Sequence, residues 1–108
     1  MEAKEFAKLF GGFSTERRVN IITALVEAGP EGISLIDLSR KTDVTVIDIG
    51  NALEALVMMN LMKISIKGEN KLLMANFALL DTLFDEAYNT FGSARKLHPK
   101  DPPALPAA

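Results

Sequence analysis

The sequence predicts a mainly α fold carrying one small β-hairpin, and three observations lead there. Apolar residues recur at helical spacing in several separate segments, the spacing drops to two after Met62, and hydroxyl residues stand just ahead of the helical runs. With 108 residues and 48% hydrophobic content, the chain suits one domain built on one modest core. We assign that domain to residues 1–92 and read 93–108 as a flexible, proline-rich tail.

Residues 2–10, EAKEFAKLF, place Phe6, Leu9 and Phe10 on one side of a short helix, which the glycines at 11 and 12 then end. So short a helix is marginal alone and must dock on something. In FSTERRVNIITALVEAG, Ser14 is the expected N-cap, Glu16 suits the positive end of the helix dipole, and Val19, Ile22, Leu25 and Val26 form the apolar stripe. Gly29 and Pro30 stop it.

ISLIDLSRK carries Ser34 and Asp37 at capping-box spacing, with Leu35 and Leu38 facing inward on about two turns of helix. After the interruption TDV, the positions Val46, Ile49, Leu53, Leu56, Val57 and Leu61 follow the helical period closely. Thr45 and Asp48 repeat the capping spacing at the start of this run. The segments MKISIK and KLLMAN then flank GEN, with Ile64 and Ile66 alternating against Lys63, Ser65 and Lys67, which predicts a hairpin with Gly68 and Asn70 in its turn. FALLDTLFDEAYNTFG is the last helix, and its residues Phe77, Leu80, Leu83, Phe84, Ala87, Tyr88 and Phe91 cover an arc wider than one core stripe.

This order of elements is that of a winged helix-turn-helix with an extra helix at each end. From Phe6 to Phe91 it resembles the arsenical-resistance repressor (ArsR) family of small dimeric bacterial regulators. The resemblance is carried by STERRVNIITAL, by ISLIDLSRKTDVTVIDIGNALEALVMMNLM and by the hairpin. Arg18, Val19, Ile21, Ile22 and Leu25 match the family's second helix, whereas ALEAL stands where the family has HLxxL, so Ala52 replaces its usual histidine. The resemblance implies a homodimer with paired terminal helices, a recognition helix in the major groove and wings beside the phosphates. The residues themselves support the dimer, since leaving three large side chains of the last helix exposed would forgo roughly 1.5 to 3 kcal/mol each. The expected interface is Phe6, Leu9, Phe10, Leu80, Leu83, Phe84, Tyr88 and Phe91.

Charge argues less strongly for DNA. The net charge is −2, and between Ile33 and Asn76 the cations Arg40, Lys41, Lys63, Lys67 and Lys71 are balanced by Asp37, Asp43, Asp48, Glu54 and Glu69. Thr45 and Asn51 are the residues of the recognition segment best suited to a phosphate or a base, or else serve as a cap and a solvated amide. Asp48 either caps the helix by accepting backbone N–H bonds or faces the DNA, where it repels phosphate or accepts from cytosine. Arg40, Lys41, Lys67 and Lys71 are the phosphate candidates, and Arg17 or Arg18 is expected in a structural ion pair.

Many ArsR-family members sense metals through cysteine, histidine or carboxylate ligands. This chain has no cysteine and one histidine, His98 in the tail, so no metal site and no cofactor are expected. Asp81 and Asp85 share a helix face but read as solvated carboxylates. Without cysteine, a histidine in the fold or a glycine-rich phosphate loop, the chain is not expected to be an enzyme. No run approaches a membrane span, and the start lacks a long apolar segment, so a cytoplasmic location is expected. Two functions compete: a dimeric regulator binding palindromic duplex DNA, and a winged-helix interaction module with weak or lost DNA binding that modulates another regulator. The first is the leading expectation, and the balanced charge, Asp48 and the apolar VMMNLM at 57–62 are what favour the second.

Overall fold

Three hydroxyls set three helix starts. Thr15 Oγ1 accepts the Arg18 N–H at 3.1 Å, Ser34 Oγ that of Asp37 at 3.1 Å, and Thr45 Oγ1 that of Asp48 at 3.2 Å. The first cap falls one residue later than Ser14, because Ser14 is still helical (φ −76°, ψ −10°) at the end of a 3-10 turn. Thr15 is extended (φ −129°, ψ 151°) and is the first residue able to fold its side chain back. The two capping spacings read from sequence hold at Ser34 and Thr45.

The computed structural model describes residues 1–92, so the expected tail at 93–108 lies outside the described residues. The elements run α1 (Ala3–Phe10), α2 (Glu16–Ala28), α3 (Leu35–Thr42), α4 (Val46–Met58), β1 (Met62–Lys67), β2 (Asn70–Ala75) and α5 (Phe77–Ala87), which continues into a π-type turn, Tyr88–Gly92. The chain is thus mainly helical with a small two-stranded antiparallel hairpin, as its sequence predicts.

α2 lies at the centre, against α3, α4 and β2. It buries Ile21, Ile22, Ala24 and Leu25, and leaves Val19 and Val26 exposed. The stripe expected through Val19 and Val26 is therefore rotated, because neighbours close on an arc centred between Ile21 and Leu25. α4 shows the same shift: Ile49, Leu53 and Leu56 are buried, whereas Val46 and Val57 are exposed. Leu9, Leu38, Leu61, Met62, Leu73, Ala75, Leu80 and Leu83 complete the core. Gly12 is buried against it, and a Cβ there would run into the Leu61 side chain, so this glycine serves close approach of the turn to Leu61.

The hairpin turn is Gly68–Glu69, with Gly68 at φ 63°, and Asn70 pairs with Lys67 as the first residue of β2. Asn70 was expected in the turn; a positive φ at Gly68 alone fits a two-residue loop of the II′ kind, which needs no second such residue. β2 also pairs through Leu73 with Ile33, so β2 is the middle of three short segments and β1 is an edge. Asn76, whose role the sequence did not reveal, is buried and joins two elements. Its Nδ2 donates to the Asn60 carbonyl at 2.8 Å, and its Oδ1 accepts the Leu79 N–H at 3.3 Å, capping α5.

Candidate nucleic-acid interface

α3 and α4 are joined by a tight link in which Asp43 adopts the left-handed conformation (φ 55°, ψ 36°) and its N–H reaches the Ser39 carbonyl. The Ser39 hydroxyl donates to the Val44 carbonyl across the same link. Thr45 then caps α4, and the buried trio Ile49, Leu53 and Leu56 fixes the helix by one face. The opposite face is Ile47, Gly50, Asn51, Glu54 and Met58, all exposed. Ile47 and Met58 are each 77% exposed, and no Lys or Arg lies on the helix. A Cβ at Gly50 would meet nothing within 4 Å.

Asp48 does not serve as the side-chain cap. Its backbone N–H goes to Thr45, while its carboxylate lies 3.7 Å from Arg17 Nη2 at the start of α2. Both side chains are about half exposed, so the pair contributes at most about 1 kcal/mol. Its larger effect is local: Arg17 offsets the acid beside the N-terminus of α4. Sequence spacing held no sign of this, because the pair depends on how two helices cross. Arg18 instead donates from Nη1 to the Gly11 carbonyl at 2.9 Å, tying α2 to the turn after α1.

The expected phosphate candidates are not gathered. Arg40 is mostly exposed and only 3.9 Å from Asp37, a weak contact within α3. Lys41 turns to the other end of α2, where its Nζ meets Glu27 Oε2 at 2.8 Å. Arg17 and Glu27 are separated by about 15 Å along α2, so Lys41 is remote from the start of α4. In the hairpin, Lys67 pairs across with Asn70 and Lys71 with Ile66. Adjacent strand positions point to opposite faces, so Lys63 and Lys67 share one face while Lys71 shares the other with Ile64 and Ile66. Thr45, Arg17, Asp48 and Asn51 are brought to one end and face of α4; the four expected cations are not. Arg95, Lys96 and Lys100 lie outside the described residues.

At the other end of the chain, α1 and α5 meet through rings. Phe6 stacks on Phe10 at 4.6 Å between centroids, Phe84 lies edge-on to Phe10 and Phe13 at 6.2 and 5.6 Å, and Phe91 touches Phe6 at 5.7 Å. Phe84, Tyr88 and Phe91 are exposed beside this cluster. Leu9, Leu80 and Leu83, expected at the interface, are instead spent in the core of the single chain. The wide arc of the last helix thus divides into a core part and an outer part. The Met1 amine sits 2.8 Å from Glu86 Oε1, and the hydrogen bond to that carboxylate raises the amine above its ordinary value.

Among the described residues, no three His, Asp or Glu side chains are grouped so as to hold a metal ion. Nor is any helix among them long and apolar enough to cross a membrane. In comparison with known proteins, no family model and no curated protein matches the chain.

Proposed function

We infer that the chain is a dimeric winged helix-turn-helix regulator, similar to the arsenical-resistance repressors, that binds palindromic duplex DNA through α4 and the hairpin and carries no metal-sensing site. On this reading α3 and α4 are the helix-turn-helix, β1 and β2 the wing, and α1 and α5 the dimer contact.

The observation that carries the reading is the outer face of α4 around Gly50. A glycine inside a helix costs about 0.5–1 kcal/mol relative to alanine. At Gly50 no neighbouring side chain uses the space that this sacrifice opens. A bare stretch of backbone, flanked by Asn51 and next to the Thr45 cap, suits close approach of a groove wall or a phosphate chain. Arg17 offsets Asp48 at the same end. Phe84, Tyr88 and Phe91 supply exposed apolar area for pairing two copies.

A second reading, an interaction module with little DNA binding, is favoured by Ile47 and Met58, which are the most exposed large apolar side chains of α4. Selection from randomised duplex DNA at two salt concentrations separates the two. A dimer setting about three cations per protomer on phosphates gives a slope of log K on log salt of about −5, together with an enriched palindrome. Absence of enrichment at low salt would sink the DNA reading and leave the interaction module.

A further inference from the structure

The β1–β2 hairpin is bonded along one edge and bare along the other. Leu73 exchanges both backbone bonds with Ile33, at 2.8 and 2.9 Å. A strand residue points its N–H and C=O to the same side, so Leu73 turns both away from β1. Ile64 stands opposite Leu73 in the register, and its own N–H and C=O therefore point away from β2. Alternation gives Ile66 the same orientation. The two-residue turn agrees, because it makes Lys67 and Asn70 a bonded pair, followed by Ser65 with Leu72 and Lys63 with Met74. Among the described residues no backbone bond reaches the outer side of β1.

The side chains at this edge are sorted by face. Ile64 and Ile66 share the face of Leu73 but extend past the core, 53% and 68% exposed. Lys63 and Lys67 occupy the other face, exposed and without an acidic partner among the described residues. Unpaired backbone, apolar on one face and cationic on the other, defines its complement.

We propose that the outer edge of β1 docks an extended segment of a partner protein in which apolar and acidic residues alternate. Added antiparallel, such a strand completes the backbone bonds of Ile64 and Ile66 with its apolar positions opposite them. Its acids then lie opposite Lys63 and Lys67, in the non-bonded pairs where side chains come closest. A second copy of β1 fits poorly. The register that brings both isoleucines of each copy together pairs Ile64 with Ile66 and sets Lys63 against Lys67 twice, while the registers that avoid this clash pair only one isoleucine with its own copy. The proposal stands independently of DNA binding.

The test titrates the isotope-labelled full chain with a synthetic peptide of alternating valine and glutamate, and with its valine–lysine counterpart, while hydrogen exchange is read residue by residue. The Ile64 and Ile66 amides gain at least about tenfold protection with the acidic peptide and none with the basic one. Ile64→Pro removes an N–H that the hairpin does not use and sets a proline ring on the outer edge, and it abolishes the protection read at the Ile66 amide. The double variant Lys63→Glu, Lys67→Glu reverses the peptide preference, and it remains a test should the proline variant fail to fold. Equal protection by both peptides, no protection at saturation, or protection that rises with protein concentration alone would overturn the proposal.

Discussion

Among the surfaces of this chain that leave large apolar side chains in the open, the α1–α5 end and the outer face of α4 are built differently. At the α1–α5 end, the exposed rings are the outer part of a connected cluster, with Phe84 touching Phe10 and Phe13, and Phe91 touching Phe6. On α4, Ile47 and Met58 stand about 16 Å apart along the axis, with Gly50, Asn51 and Glu54 between them. A connected apolar surface extends the core and offers area to a partner, whereas single exposed residues are ordinary for a soluble surface. The rings at the α1–α5 end thus form one continuous surface, whereas the exposed apolar residues of α4 sit in two separate pairs, Val46 with Ile47 and Val57 with Met58.

The deepest way to break the comparison is to remove what lies beneath the rings. Leu83 is fully buried on α5, next in sequence to Phe84. Leu83→Ala should cost about 2–5 kcal/mol in chemical denaturation, since it deletes buried methyls and leaves a cavity. A loss below about 1 kcal/mol would mean that Leu83 is not core in solution.

The next largest effect belongs to the rings' outer side. If two copies pair through this end as proposed, the pair Phe84→Ser, Tyr88→Ser shifts the chain from dimer to monomer in sedimentation, because burying such side chains contributes roughly 1.5–3 kcal/mol each. An unchanged dimer would move the interface away from this end of the molecule.

How far such surfaces can be read from sequence depends on how local their determinants are. Ser34 and Thr45 were legible as caps because a cap and its target N–H lie three residues apart. The alternation in β1 was legible for the same reason, but not that Ile64 and Ile66 pass beyond the core, which depends on where α2 and α4 end against the sheet. The Arg17–Asp48 and Lys41–Glu27 pairs join separate helices and follow from crossing geometry that no spacing encodes. Apolar periodicity found α2 yet misplaced its stripe, since Val19 and Val26 fit the period as well as Ile21 does and only the neighbours choose among them. The division of the last helix into core leucines and outer rings was likewise invisible, because the sequence shows how wide an apolar arc is and not what fills it.

Gly50 sharpens the comparison from the α4 side, with an effect of opposite sign. Gly50→Ala should stabilise the chain by about 0.5–1 kcal/mol, because helix propensity rises and the new methyl meets no neighbour. If the bare backbone serves DNA, the same variant weakens duplex binding while raising the denaturation midpoint. A variant that is more stable and binds equally well would leave the glycine without a role at the proposed interface.

The smallest effect is the most discriminating for α4. Ile47→Gln and Met58→Gln replace the two most exposed apolar residues of the helix, and each should change stability by less than about 0.5 kcal/mol, as surface substitutions do. Both replacements keep helix-compatible side chains and add no charge, so any larger loss reports apolar contact rather than propensity or electrostatics. Such a loss, if it grew with protein concentration, would show that α4 is covered by another copy, and these two residues would then have to be counted with the rings. If both variants are neutral in stability and DNA binding yet lose a cellular partner retained by Gly50→Ala, the outer face of α4 is a protein contact. Neutrality together with retained partners assigns Ile47 and Met58 to ordinary surface, and leaves the α1–α5 rings as the one apolar feature of the two with a task.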